Sequence, residues 1–150
     1  MTDMKVRVRA QSENATKTVI NARNFRFVID EPAELGGTND GPNPVEYVLG
    51  AFAGCLNVMA HLIAKEMDFE LRGVKIDVSG ILNPARLFGQ SFEERAGFKE
   101  ISVMIKADTD ADEATLEKWM QAIEDRCPVS DNLQHPTPVK IAVKATVPQL

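Results

Sequence analysis

Pro44-Val-Glu-Tyr-Val-Leu-Gly-Ala-Phe-Ala-Gly-Cys-Leu-Asn-Val-Met-Ala-His-Leu-Ile-Ala-Lys65 decides the reading of this chain. Between Tyr47 and Ala64 only Asn57 and His61 interrupt apolar and small residues, without period-2 alternation, so the stretch predicts a helix rather than a strand. Its start is marked by Gly41-Pro42-Asn43-Pro44: Asn43 suits the N-cap, Pro44 the first helical position, and Glu46 completes a capping box. A helix apolar all round is expected to be buried on every side. Gly50-x-x-x-Gly54 would let another backbone approach closely, and the run is just long enough to span a bilayer. Asn57 and His61 would be costly there and no Lys or Arg flanks the N-terminal end, so the reading is a core helix and no membrane span.

Working outward, Lys5–Arg9 alternates as a strand, Gln11–Asn14 reads as a turn, and Ala15–Asn21 and Phe25–Ile29 complete a meander. Residues 31–42, rich in Gly and Pro, form a long loop into the helix, and its acidic residues Asp30, Glu31 and Glu34 suggest a solvated face. Beyond the helix, Gly73–Leu82 and Phe98–Ala107 alternate as strands, with a loop holding at most one helical turn between them. Asp110 or Asp112 caps an amphipathic helix built on Leu116, Trp119, Met120 and Ile123. Cys127-Pro-Val-Ser130 opens a short helix through Leu133, and Pro138–Val147 closes the chain as a strand. The order implies an α+β fold with helices packed on antiparallel sheet, in a single domain over residues 1–150.

Composition narrows the functions. A charge of −5 with no basic cluster disfavours nucleic acid, and the first residues carry no secretory signal, which points to the cytoplasm. Two cysteines, Cys55 and Cys127, are too few for a disulfide scaffold and form no C-x-x-C motif; they are inert core thiols or a redox couple. Cys127, before proline and after Arg126, sits where a thiolate is stabilised, or serves as a neutral cap. Cys55, among Phe52, Leu56 and Met59, should be inert unless a buried cation, from Arg23 or Arg26 and oriented by Glu46, supports its thiolate. His61 reads as a core histidine, His135 is a weak candidate, and Cys127 with His135 falls short of a metal ligand set.

Glu34-Leu-Gly-Gly-Thr38, Gly41-Pro-Asn-Pro-Val-Glu46 leading to Ala53-Gly-Cys55, and Cys127-Pro-Val-Ser130 together resemble the OsmC/Ohr family of osmotically induced and organic hydroperoxide resistance proteins, over nearly the whole chain. The resemblance implies an intertwined homodimer with the long helices packed at its centre and antiparallel sheets around them. It also implies a cysteine peroxidase without metal or other cofactor, in which Cys55 attacks an organic hydroperoxide and Cys127 resolves the sulfenic acid to a disulfide. A dithiol, lipoyl-type in some members, would reduce that disulfide, and the apolar walls from Phe52, Met59 and Phe88 would favour organic peroxides. Arg23, or less well Arg26, matches the family's N-terminal arginine, held by a glutamate corresponding to Glu46. The family's peroxidases place that glutamate directly after Asn-Pro, where this chain has Val45. One helical position turns a side chain by about 100°, and the Pro-Val-Glu form is closer to the less characterised OsmC-like branch. The alternative is a non-catalytic module holding an apolar small molecule at the dimer interface; a redox-sensing role is a third reading.

Overall fold

In the computed structural model, which describes residues 1–145, three strands precede the long helix and two strands and two helices follow it. β1 (Arg9–Ser12), β2 (Thr18–Ala22) and β3 (Phe25–Ile29) form an antiparallel meander. A 3-10 turn at Ala33–Leu35 interrupts the loop before α1 (Pro44–Glu66). β4 (Gly73–Ile81) and β5 (Glu100–Asp108) pair antiparallel, and α2 (Glu113–Arg126) and α3 (Pro128–Gln134) complete the order. The result is an α+β fold.

The first strand lies further along than the alternation of Lys5–Arg9 predicts. Glu13 N–H donates to the Lys17 carbonyl at 2.9 Å, and the Asn14 side chain accepts from the N–H of Thr16 and Lys17 at 2.9 and 2.6 Å. That turn sets the pairing of Ser12 with Thr18, and everything before Arg9 falls outside the ladder.

α1 begins as its sequence predicts. Asn43 Oδ1 accepts from Glu46 N–H at 2.9 Å, and Glu46 Oε2 accepts from Asn43 N–H at 2.7 Å, a complete capping box. Burial departs from the expectation of a helix enclosed on every side. Phe52, Leu56, Met59, Ala60, Ile63 and Ala64 are buried, and this single stripe with helical spacing packs on β4 and α2. The other face, with Val58 and Leu62, is open, because no other described residue covers it. His61 belongs to that face and is exposed, not a core histidine: it directly follows buried Ala60 and so points about 100° away from the stripe. α1 is also the one helix among the described residues long and apolar enough to cross a membrane.

Trp119, 2% exposed, locks α2 to α1 by donating its Nε1–H to the Ala60 carbonyl at 2.9 Å, and its ring meets Phe69 edge-on at 5.9 Å between centroids. Val74, Ile76, Val78, Ile101, Val103 and Ile105 close the core from the sheet.

Asp30 is fully buried, contrary to the expected solvated acidic loop. Its carboxylate accepts from the N–H groups of Glu31, Thr38 and Asp40 and from the Thr38 hydroxyl, at 2.8, 3.1, 3.2 and 2.7 Å. These bonds, the Thr38 hydroxyl foremost, hold it well below the usual carboxylate range. The Asp30 N–H donates to the Pro42 carbonyl at 3.3 Å, so both ends of the loop meet just before α1. Gly37 is required there, since a Cβ would lie 1.8 Å from the Glu31 carbonyl oxygen. The expected closing strand is absent over residues 138–145, which carry no regular structure and expose Val139, Ile141 and Val143; its last two positions lie outside the described residues.

Candidate functional site

Cys55 lies mid-way along α1 on the edge of its buried stripe, and Cys127 lies at the corner where α2 ends and α3 begins. The corner follows from local sequence. Cys127 closes α2 by donating its N–H to the Ile123 carbonyl at 3.0 Å, and Pro128, which cannot continue an α2 ladder, starts α3 at its first position. The Cys127 side chain is then the N-cap of α3, with its sulfur accepting from Ser130 N–H at 3.4 Å. Because α1 and α2 are docked through Ala60 and Trp119, this corner sits on α1 at the level of Cys55. The two sulfurs are 3.1 Å apart, and both thiols are free.

A disulfide needs about 2.05 Å between sulfurs, so the pair stands within about 1 Å of bonding distance without movement of either helix. Cys127 is 1% exposed and Cys55 half-buried. Burial, and next the contact with the Cys127 thiol, push the Cys55 thiol upward; the Val129 backbone N–H acts in the opposite direction. In the single chain Cys55 is therefore a protonated, poorly nucleophilic thiol near neutral pH.

The remaining expected site residues are not gathered around it. Arg23 occupies the β2–β3 turn with a positive φ of 54° and lies over the Phe25 ring at 5.0 Å. Arg26 is exposed and pairs with Glu13 at 3.4 Å. The Glu46 carboxylate is taken up by the Asn43 N–H of the capping box. Among the described residues neither arginine bonds to Glu46 or to either sulfur. Arg126, beside Cys127, is engaged by Glu66 in a two-point ion pair. Phe88, expected as a wall of the site, is exposed on the loop between β4 and β5. No group of three potential metal ligands gathers among the described residues.

Between α1, β5 and the α2–α3 corner lies a cavity of about 710 Å³, walled by Val48, Phe52, Leu56, Val103, Met120 and Leu133 and edged by the charged Arg95, Lys99, Glu100 and Glu124; neither cysteine lines it. Its size and apolar walls suit a small organic molecule. Phe52 and Leu56 flank Cys55 on α1, and Ser130 lies in the turn that follows Cys127. Sequence reasoning quoted Ser130 within Cys127-Pro-Val-Ser130 without giving it a place at the cavity, and missed Gln134.

Residues 37–142 match the family model described as OsmC-like protein. A curated relative, the uncharacterized protein YmaD of Bacillus subtilis, is 27% identical over 116 residues, covering 77% of this chain and 75% of its own. Among solved structures, an OsmC-like protein from Mycoplasma pneumoniae superposes with a TM-score of 0.77 at 19% identity, over 89% of both chains. An organic hydroperoxide resistance protein OsmC from Legionella pneumophila gives 0.63 at 18% identity, over 89% of this chain and 92% of that one. The organic hydroperoxide resistance protein OhrB of Bacillus subtilis gives 0.55 at 23%, over 85% and 89%. The fold and these matches define an OsmC/Ohr-type protein. The chain belongs to the OsmC-like protein family.

Proposed function

We propose that the protein is a thiol-dependent peroxidase that reduces organic hydroperoxides through a two-cysteine cycle, as part of an oxidative stress response. The observation that carries this reading is the 3.1 Å separation of Cys55 and Cys127. The Cys55 thiolate attacks the terminal peroxide oxygen, the O–O bond breaks, and the alkoxide leaves as an alcohol after taking a proton. Cys55 is left as a sulfenic acid. Cys127 then attacks the Cys55 sulfur, the S–O bond breaks with loss of water, and an external dithiol, lipoyl-type in some relatives, reduces the disulfide. A dithiol-dependent cycle of this kind belongs in a reducing compartment such as the cytoplasm.

The cycle needs a cation at Cys55 that neither Arg23 nor Arg26 supplies within its own chain among the described residues, and we propose that a homodimer supplies it. The open face of α1, with Val58 61% and Leu62 42% exposed, is a surface for a second copy. Gly50 and Gly54 have nothing within 4 Å of a would-be Cβ, so another helix could approach there. The β1–β3 meander meets α1 at Tyr47, whose hydroxyl donates to the Val28 carbonyl at 2.7 Å, and the loop before α1 borders Val28 at Gly41. Its β2–β3 turn, which carries the exposed Arg23, is suited to presenting that arginine to the partner's Cys55. Glu46, one position later than in the family's peroxidases, holds that arginine only if it leaves its capping bond.

The test is steady-state turnover of cumene hydroperoxide with a dithiol reductant. Cys55→Ser should abolish it; turnover by that variant equal to the wild type would overturn the reading. The cavity supports a second reading, a binding module in which the thiols take no chemical part, and that reading predicts unchanged ligand binding in both serine variants with no peroxide consumed.

A further inference from the structure

β4 and β5 make a two-stranded sheet, and the outer edge of β5 meets no strand among the described residues. A sheet of that size is marginal by itself, and a free edge is a template for one more strand. The cavity of about 710 Å³ follows this edge. On the sheet side it is lined by Ile101, Val103 and Ile105 of β5 and by no residue of β4, and its other walls are helical. The gap therefore lies where a third strand would run.

Residues 138–145 have the pattern of such a strand and nothing to pair with. Val139, Ile141 and Val143 alternate with Lys140, Ala142 and Lys144, and the three apolar side chains are 77%, 88% and 93% exposed. The tail does not turn back into the cavity of its own chain, although Leu133 and Gln134, just before it, border that cavity. Its start is tied to α3: the Thr137 hydroxyl donates to Asn132 Oδ1 at 2.9 Å, and Pro136 and Pro138 favour extended backbone at His135 and Thr137.

We infer that residues 138–144 of each subunit form the third strand of the other subunit's β4–β5 sheet, so that Val139, Ile141 and Val143 fill the cavity and complete its wall. The strand runs antiparallel to β5 with Ile141 opposite Val103, both facing inward. Lys144 then lies opposite Glu100 and Ala142 opposite Ser102, whereas the parallel arrangement would set Lys144 against Lys106. Exchange is reciprocal, as two-fold pairing of identical chains requires. The inference rests on the homodimer reading and adds to it a surface separate from the open face of α1.

The test is a cross-link between two exposed positions, Ser102→Cys and Ala142→Cys, in the full chain carrying Cys55→Ser and Cys127→Ser. After mild oxidation the double variant should run as a disulfide-linked dimer on a non-reducing gel, and each single variant should stay unlinked. The dye 8-anilinonaphthalene-1-sulfonate should be ignored by the wild type and bound by Ile141→Asp, whose tail no longer fills the cavity. A link within one chain overturns the exchange, since the tail would then serve its own β5. Absence of a link in a protein that sediments as a dimer also overturns it and leaves the homodimer standing on the α1 face. Absence of a link in a monomer overturns both. Dye bound by the wild type at one site per chain gives the cavity to a small molecule and overturns the inference as well.

Discussion

At the scale of single residues, the tension lies in Cys55. Burial raises its thiol above the ordinary value of 9.0, whereas a peroxidase needs the thiolate at neutral pH. The sign of the linkage follows. A thiol whose folded pKa is raised stabilises the fold below its ordinary value, and that contribution is lost as pH climbs through the folded pKa. The isolated subunit should therefore lose stability above about pH 9, and Cys55→Ala should flatten that part of the profile; chemical denaturation across pH 8 to 11 reads it. If a partner's Arg23 relieves the burial, Arg23→Met should slow sulfenic acid formation roughly tenfold to a thousandfold at neutral pH, since an adjacent opposite charge moves a pKa by roughly 1–3. Arg26→Met, held by Glu13 on the surface, should leave that rate within about twofold. Rapid-mixing fluorescence after a peroxide pulse distinguishes the two. Both cysteines were legible because each sits inside a strong local pattern: one in the middle of an apolar helix, the other at a helix end before proline. Asp30 was not, since sequence does not say which N–H groups a short polar side chain will meet after folding.

At the scale of elements, α1 was legible to within a residue of its ends because cap, proline and apolar run agree. Its open face was not, because apolar composition gives the same signal whether the cover comes from this chain or another. The two amphipathic ends illustrate the same ambiguity: Lys5–Arg9 and Val139–Val143 alternate like strands, but a strand exists only where an edge is present to pair with it. Docking of α2 onto α1 through Trp119 is what brings Cys127 to Cys55. Trp119→Ala should cost about 3–5 kcal/mol, measured by urea denaturation, and should slow disulfide closure in the fraction that remains folded. The loop held by Asp30 makes a second element-scale prediction. Asp30→Asn puts an amide donor among N–H donors, so the segment 31–41 should become the preferred site of limited proteolysis. Stability contributed by Asp30 is present above its ordinary pKa of 3.8 and is lost as pH falls toward its lowered folded value.

At the scale of the whole molecule, a helix of 23 residues with one buried face leaves Val58 and Leu62 exposed on the other. The homodimer reading predicts that Val58→Asp shifts sedimentation toward the monomer and lowers peroxide turnover with it, while both cysteines stay alkylatable. Sedimentation of Val58→Asp as the wild-type species would remove the dimer from the mechanism. Fold class was recoverable from the order of patterns along the chain. The expectation of a shared site came only through the family resemblance, because no periodicity within one chain records what a second copy would contribute.

The most direct measurement is mass spectrometry of the unreduced protein after one equivalent of cumene hydroperoxide. Linkage of the Cys55 and Cys127 peptides with loss of both alkylatable thiols is the result expected of a two-cysteine peroxidase. Two thiols still open to alkylation after an hour would contradict it.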